Sequence, residues 1–262
     1  MKDDIGDHLK MLEEEQDARF DDTLYIRIDG RSFSKFTKHL EYPYDDNLRA
    51  VFYNVTKHLA EEFNAVCAYT QSDEISLVLK KATPDSELPF GGRRAKLTSI
   101  SAAMATTYFV RYASMFWPEL VEEQPPMFDA RVIPVTDEEA LMAIKWRWQD
   151  AKRNAVQMLA RHLFSHKQCQ NKSTKDLIAM LKEDGVSLND YPMDFEHGVV
   201  FIKDYRMVDP KDLGDIPEKY RPTEPVKRRF YNGDVVGAFG FSKVLCKIEE
   251  QLKEMNDGTY RF

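Results

Sequence analysis

In the first half of the chain, short apolar runs alternate with stretches in which apolar residues recur every three or four positions. Residues 23–28 are mainly apolar and have the length of a buried strand. Over residues 46–63, Leu48, Val51, Phe52, Val55 and Leu59 fall on one helical face, and Asp45 or Asp46 can cap its first turn. Residues 66–70 and 75–79 are two further apolar runs separated by Gln71, Ser72, Asp73 and Glu74, which predicts a hairpin. A helical stretch follows from about 93 to 116. Residues 128–135 then predict a strand that Pro134 assigns to an edge or an end. The order is the split βαβ pattern, β-α-β-β-α-β.

Beyond residue 136 the pattern turns helical. Residues 137–164 predict one long helix with Trp146, Ala151, Ala155, Met158 and Leu159 available for burial. Ser173 predicts the cap of a short helix to Lys182. Residues 197–205 read as a strand. Residues 207–234, rich in Pro, Asp, Lys and Arg, read as a long loop or mobile arm, and 242–255 as a last helix. No internal repeat or low-complexity tract is present.

The topology has a chemical consequence. A crossover helix makes strands one and two parallel, and strand three folds back between them. The end of strand one and the turn between strands two and three then share one sheet edge. Asp29 and the pair Asp73 and Glu74 are 44 positions apart in sequence yet become neighbours. Each site alone is explained as a turn former. Together they suit a divalent cation on a triphosphate, with Asp29, Asp73 and the Gly30 carbonyl as oxygen ligands. Polymerase palms and nucleotide cyclases arrange two metals in this way. The expected fold is α+β: a palm-like, ferredoxin-like core over 1–136, with helices and an extended arm over 137–262 packed on it.

Other candidates surround this pair. Gly30, Arg31, Ser32 and Phe33 follow strand one, where a glycine lets backbone amides approach phosphate. Gly91 and Gly92 precede Arg93, Arg94 and Lys96 at a helix start, a suitable phosphate clamp of Lys96 and one arginine. Cations there oppose the helix dipole, so helix stability does not account for them. Arg153 and Asn154 lie mid-helix, and Lys227, Arg228 and Arg229 form a basic run. Taken alone, both are explained as solvated surface.

Composition narrows the classes. Lys and Arg number 37 against 44 Asp and Glu, so RNA binding requires basic residues gathered locally. No apolar run suits a membrane span or a signal peptide. Cys67, Cys169 and Cys246 are far apart and read as reduced thiols of a cytoplasmic protein. The six histidines lack metal-binding spacing, and no GxSxG or Walker A element is present.

Several of these stretches together resemble the tRNA-His guanylyltransferase family, and within it the bacterial guanylyltransferase-like proteins. They are 3–7, Arg27–Phe33, Gln71–Glu74, Arg93–Lys96, Phe128–Val132 and Trp146–Asn154, in family order over about two-thirds of the chain. The resemblance implies a tetrameric reverse polymerase with a palm like that of forward polymerases. In that family the tRNA 5′-phosphate is activated, usually with ATP. The 3′-hydroxyl of an incoming nucleotide, typically GTP, then attacks it, and two Mg2+ ions serve the transfer. By the same analogy Asp29, Asp73 and the Gly30 carbonyl hold the metals and Glu74 supports them. Arg27, Gly30, Arg31, Ser32, Phe33, Ser72, Arg93 and Lys96 would hold triphosphate, and Asp45 the activating nucleotide. Arg131, Arg153, Asn154, Lys227, Arg228 and Arg229 would contact tRNA.

Two departures matter. The family's His-Ile-Asn-Asn motif is here Lys152, Arg153, Asn154 and Ala155, as in the guanylyltransferase-like branch, which favours templated 5′-end repair over dedicated addition of one G. The family's lysine before Pro-x-Asp is Tyr42. Alternative readings are a dedicated tRNA-His guanylyltransferase, a palm-type nucleotide cyclase and a tRNA-binding protein without catalysis.

Overall fold

The computed structural model describes residues 5–6, 8–12, 17–215, 217–235 and 237–258, so most of the 3–7 stretch lies outside the described residues. Six strands form one antiparallel sheet: β1 (Leu24–Gly30), β2 (Cys67–Gln71), β3 (Glu74–Leu79), β4 (Phe128–Pro134), β5 (Val199–Val208) and β6 (Val226–Asp234). Their spatial order is β4-β1-β3-β2-β5-β6. β3 therefore lies between β1 and β2, and β4 is an edge strand ending on Pro134, as the sequence predicts. The α+β, palm-like expectation holds.

Strand alternation sorts the side chains onto two faces. Leu24, Ile26, Ile28, Ile75 and Leu77 pack under α1 (Asp46–Glu62) and α2 (Arg94–Ala113), against Val55, Leu59, Leu97 and Phe109. The Asp45 side chain caps α1 by accepting from the Leu48 amide at 2.9 Å. A short helix, α3 (Pro118–Glu123), leads into β4. Tyr25, Cys67, Tyr69 and Val78 point to the opposite face. There α4 (Asp137–Leu163) supplies Ala140 and Ile144, and α7 (Ala238–Asn256) supplies Ile248 and Leu252.

α4 opens with a capping box between Thr136 and Glu139. It starts at the β1 entry, where Asp137 accepts from Thr23 and Lys80. Its second half leaves the sheet: Val156, Leu159 and Ala160 pack on Leu177 and Leu181 of α5 (Thr174–Glu183), which Ser173 caps. A one-and-a-half-turn helix, α6 (Met193–His197), then leads into β5. No helix of the described residues is long and apolar enough to cross a membrane.

Two expectations are corrected. Residues 207–234 are not all loop: Met207 and Val208 end β5, short 3-10 turns lie at Pro210–Asp212 and Glu218–Tyr220, and Val226–Asp234 pairs with β5 from Val200 to Val208. The charge run Lys227–Arg229 hid the strand, which takes its register from β5. Trp146 is 52% exposed rather than buried, and Met158 is half-buried. The sheet-facing stripe of α4 is Ala140, Ile144, Arg147 and Ala151, and Trp146 lies one helical step, about 100°, off it.

A buried lysine, Lys203 of β5, sits near Arg229, and desolvation together with that charge lowers its pKa to about 7. The unfolded chain then binds more protons between about pH 7 and the ordinary lysine value. Stability should rise with pH across that window. Lys203→Met is expected to flatten the rise in Tm between pH 7 and 9; an unchanged slope would mean Lys203 does not set it.

Candidate active site

The β-ladder assembles the acidic edge. β1 pairs Asp29 with Glu74 of β3 on one side and with Asp129 of β4 on the other. Paired residues share a face, so three carboxylates occupy one row across adjacent strands. One row inward, Ser76, Arg27 and Arg131 are in register. Arg131 ion-pairs with Asp129 at 3.3 Å. The Nε of Arg27 is buried and has no hydrogen-bond partner among the described residues, a donor whose desolvation an incoming anion would offset.

Asp73 sits in the two-residue turn between β2 and β3, fastened to β1 by the Gly30 amide donating to its carbonyl at 3.0 Å. Ser72 takes the left-handed conformation, φ 54°, and its hydroxyl donates to Asp73 Oδ1 at 3.1 Å. Burial, and secondarily the Asp29 charge, push the Asp73 carboxyl above the usual carboxylate range. The turn thus holds two anions close together at a cost that a cation would relieve.

Glu74 is treated differently. Burial raises its pKa, and the guanidinium of Arg147 opposes the shift. Arg147 Nε meets Glu74 Oε1 at 2.6 Å, and its Nη1 donates to Asp150 Oδ2 at 2.9 Å. Arg153 pairs with the other Asp150 oxygen. Arg147 is only 8% exposed and fastens α4 to the acidic edge. The sequence reading did not single it out, although its helical phase with Ile144 and Ala151 was the available signal.

Beside the Asp73 turn opens a cavity of about 280 Å³. Phe33, Leu48, Phe52 and Phe195 form apolar wall, while Ser72, Asp73 and Asp45 bring polar groups. Phe33 is itself in the core, against Phe36, Phe52, Phe109 and Phe128. On the rim, Tyr42 donates its hydroxyl to the Met158 carbonyl at 3.0 Å and packs on His162. Tyr42 therefore ties the rim to α4. Deeper, Asp194 pairs with Arg49 and accepts from the Tyr44 hydroxyl at 3.2 Å.

The glycine after Asp29 has a packing reason. A Cβ on Gly30 would lie 2.7 Å from the Phe33 ring. The amides of Gly30 and Arg31 donate to the Asp73 and Met127 carbonyls.

The structure gathers Asp29, Gly30, Ser72, Asp73, Glu74 and Arg27 on one edge, with Phe33 and Asp45 at the cavity and Arg31 and Ser32 next to it. It does not bring Arg93 and Lys96 there. Arg93 bridges to Arg19 ahead of β1, and its Nε pairs with Asp17 at 2.6 Å. Asp17 also caps α2 by accepting from the Ala95 amide. Phe109, which packs on Phe33, lies thirteen residues beyond Lys96 along α2, about 20 Å of helix. Arg153 and Asn154 lie on α4 beyond Asp150. Lys227, Arg228 and Arg229 lie on β6; Lys227 stands over the Tyr205 ring, Arg228 faces Arg206, and Arg229 bonds Asn64.

Comparison with known proteins places the chain in a nucleotidyltransferase family. The family model described as Thg1, tRNAHis guanylyltransferase, matches residues 6–136. A probable tRNA(His) guanylyltransferase of Drosophila melanogaster is 27% identical over 213 residues, 75% of this chain and 72% of the fly protein. Two solved structures of a bacterial tRNA(His) guanylyltransferase (Thg1)-like protein, in complex with ATP and with GTP, superpose with TM-scores of 0.78 and 0.72. Both are 26% identical, covering 95% of this chain and 99% of theirs. The chain belongs to the tRNAHis guanylyltransferase family.

Proposed function

We propose that this chain is a Mg2+-dependent 3′-5′ nucleotidyltransferase that repairs tRNA 5′ ends by template-directed addition. The observation that carries the reading is the unneutralised pair Asp29 and Asp73 beside an aromatic-walled cavity of nucleobase size. The ATP and GTP complexes of the bacterial relative support nucleoside triphosphates as substrates. Among the described residues no three His, Cys, Asp or Glu side chains form a ready-made metal cage. That suits Mg2+, which is commonly held by one or two carboxylates with water and substrate phosphates. Asp29, Asp73 and the Gly30 carbonyl would hold it. When bound, it neutralises phosphate charge and lowers the pKa of the attacking hydroxyl.

The chain's own residues orient the rest. In activation, a 5′-phosphate oxygen of the RNA attacks the α-phosphorus of ATP and releases pyrophosphate. In transfer, the 3′-hydroxyl of the incoming nucleotide attacks the activated 5′-phosphorus and releases AMP. Asp45 and the cavity hold the activating nucleotide, Arg27 and the amides of Ser32 and Phe33 meet phosphates, and Glu74 braces the turn. The palm over 1–136 carries the chemistry. The part over 137–262 carries tRNA contacts at Arg153, Asn154 and Lys227–Arg229, and Arg131 extends them on β4. Assembly is as a homotetramer, in the cytoplasm.

RNA carrying a 5′-monophosphate should accept labelled GTP only with ATP present, whereas RNA already carrying a 5′-triphosphate should not need ATP. Incorporation independent of both would contradict the activation step. Millimolar Mg2+ should raise Tm at neutral pH. Because the Asp73 pKa is raised, that gain should fade as pH falls through a value above the ordinary carboxylate range. A gain that persists at pH 3, or survives in Asp73→Asn, would place the cation elsewhere.

A further inference from the structure

Residues 151–175 contain six Lys and Arg, two His and no Asp or Glu, in a chain that is acidic as a whole. The structure gathers this bias into one surface. The segment is the second half of α4, the turn after it and the cap of α5. Arg161, His166 and Lys172 converge with Gln157, Gln170 and Asn171 on a pocket of about 190 Å³. Asn171 holds the pocket's loop in the left-handed conformation at φ 59°. Lys152 and Arg153 are neutralised by Glu196 and Asp150. Arg161, Lys167, Lys172 and Lys175 have no carboxylate within ion-pair distance among the described residues. Desolvated pairs would favour the fold; unpaired exposed cations do not, and their clustering costs repulsion.

The surface is continuous with the nucleotide cavity. His162, next to Arg161, packs at a tilt on Tyr42, whose hydroxyl reaches Met158 on the cavity rim. From Asp150 at the acidic edge to Leu163 at the end of α4 is about 20 Å along one helix. A strand whose 5′ end lies at Asp29 and Asp73 can therefore run its backbone along this helix and reach the pocket a few nucleotides in.

We infer that Arg161, His166 and Lys172, with Lys167 beside them, form a phosphate-binding site for the RNA backbone near the reacting 5′ end. This rests on the proposed assignment of tRNA as substrate. It adds an anchor on the α4–α5 turn to the contacts already proposed at Arg153, Asn154 and β6. The cations and amide N–H groups of the lining are donors suited to phosphate oxygens, and contacts to phosphate carry no sequence information.

The test compares the wild type with Arg161→Ala/Lys167→Ala/Lys172→Ala for binding to a 5′-truncated tRNA at several salt concentrations. All three side chains are exposed and outside the core, so Tm should be unchanged. Affinity should fall on the order of 10- to 100-fold. The slope of log K against log salt should shrink by about 2 to 3, close to one per lost phosphate contact. Arg161→Lys/Lys172→Arg should retain the wild-type slope. A triple variant with wild-type affinity and slope overturns the site. So does one whose only change is in oligomeric mass, since the surface would then meet another protein chain. If the wild type itself binds tRNA with no salt dependence, the assignment of tRNA fails rather than this site alone.

Discussion

Asp29→Asn is expected to lower nucleotide transfer roughly 10³-fold, about 4 kcal/mol of transition-state stabilisation, while tRNA binding stays within a few-fold of wild type. Asn keeps the shape and removes the charge that, with Asp73, would attract the cation. It also removes the Asp29 charge that adds to burial in raising the Asp73 carboxyl, so the folded protein should be at least as stable as before. A destabilised variant would make the activity loss uninformative. Single-turnover transfer beside urea unfolding separates the two. Activity within tenfold of wild type would remove Asp29 from the chemistry.

Arg147→Met should have the largest effect on stability. The substitution keeps hydrophobic volume but leaves Glu74 and Asp150 half-enclosed without their shared cation. Breaking a buried pair from one side costs about 3–5 kcal/mol. The loss should be greatest at neutral pH, where both carboxylates are ionised. It should shrink in acid as Glu74, whose pKa burial raises, takes up a proton. Arg147→Met/Glu74→Gln should recover part of the loss. A loss under about 1 kcal/mol at pH 7, in equilibrium urea unfolding, would show that Arg147 does not fasten α4 to the Asp73 turn.

Much of this site was legible because it depends on local pattern and strand order. The apolar runs ending at Asp29 and flanking Ser72 and Asp73 define strands, and the split βαβ order alone makes their ends neighbours. Asp45 and Ser173 were readable as caps because capping is local. Long-range pairing was not. Val226–Asp234 has a charged run near its start, and only the ten-residue β5 beside it makes it a strand. Trp146, expected to be buried, is exposed and its neighbour Arg147 is buried, because a one-residue change in helical phase decides which faces the sheet. Gly91, Gly92, Arg93 and Lys96 carry a local phosphate-clamp signal. In the fold Asp17 already neutralises Arg93 and caps the helix, at the far end of the sheet.

Lys152 pairs with Glu196 of α6 and so joins α4 to its neighbour, whereas Arg153 pairs with Asp150 within α4. Tyr42 ties the cavity rim to α4 through the Met158 carbonyl.

The most direct measurement is incorporation of each labelled nucleotide into tRNAs lacking their first 5′ residue, with Mg2+ and ATP, while the opposing 3′-strand base is varied. The account predicts that the added nucleotide follows the opposing base on several tRNAs and is lost in Asp29→Asn. Addition of G regardless of that base, or no addition to any 5′ end, would contradict it.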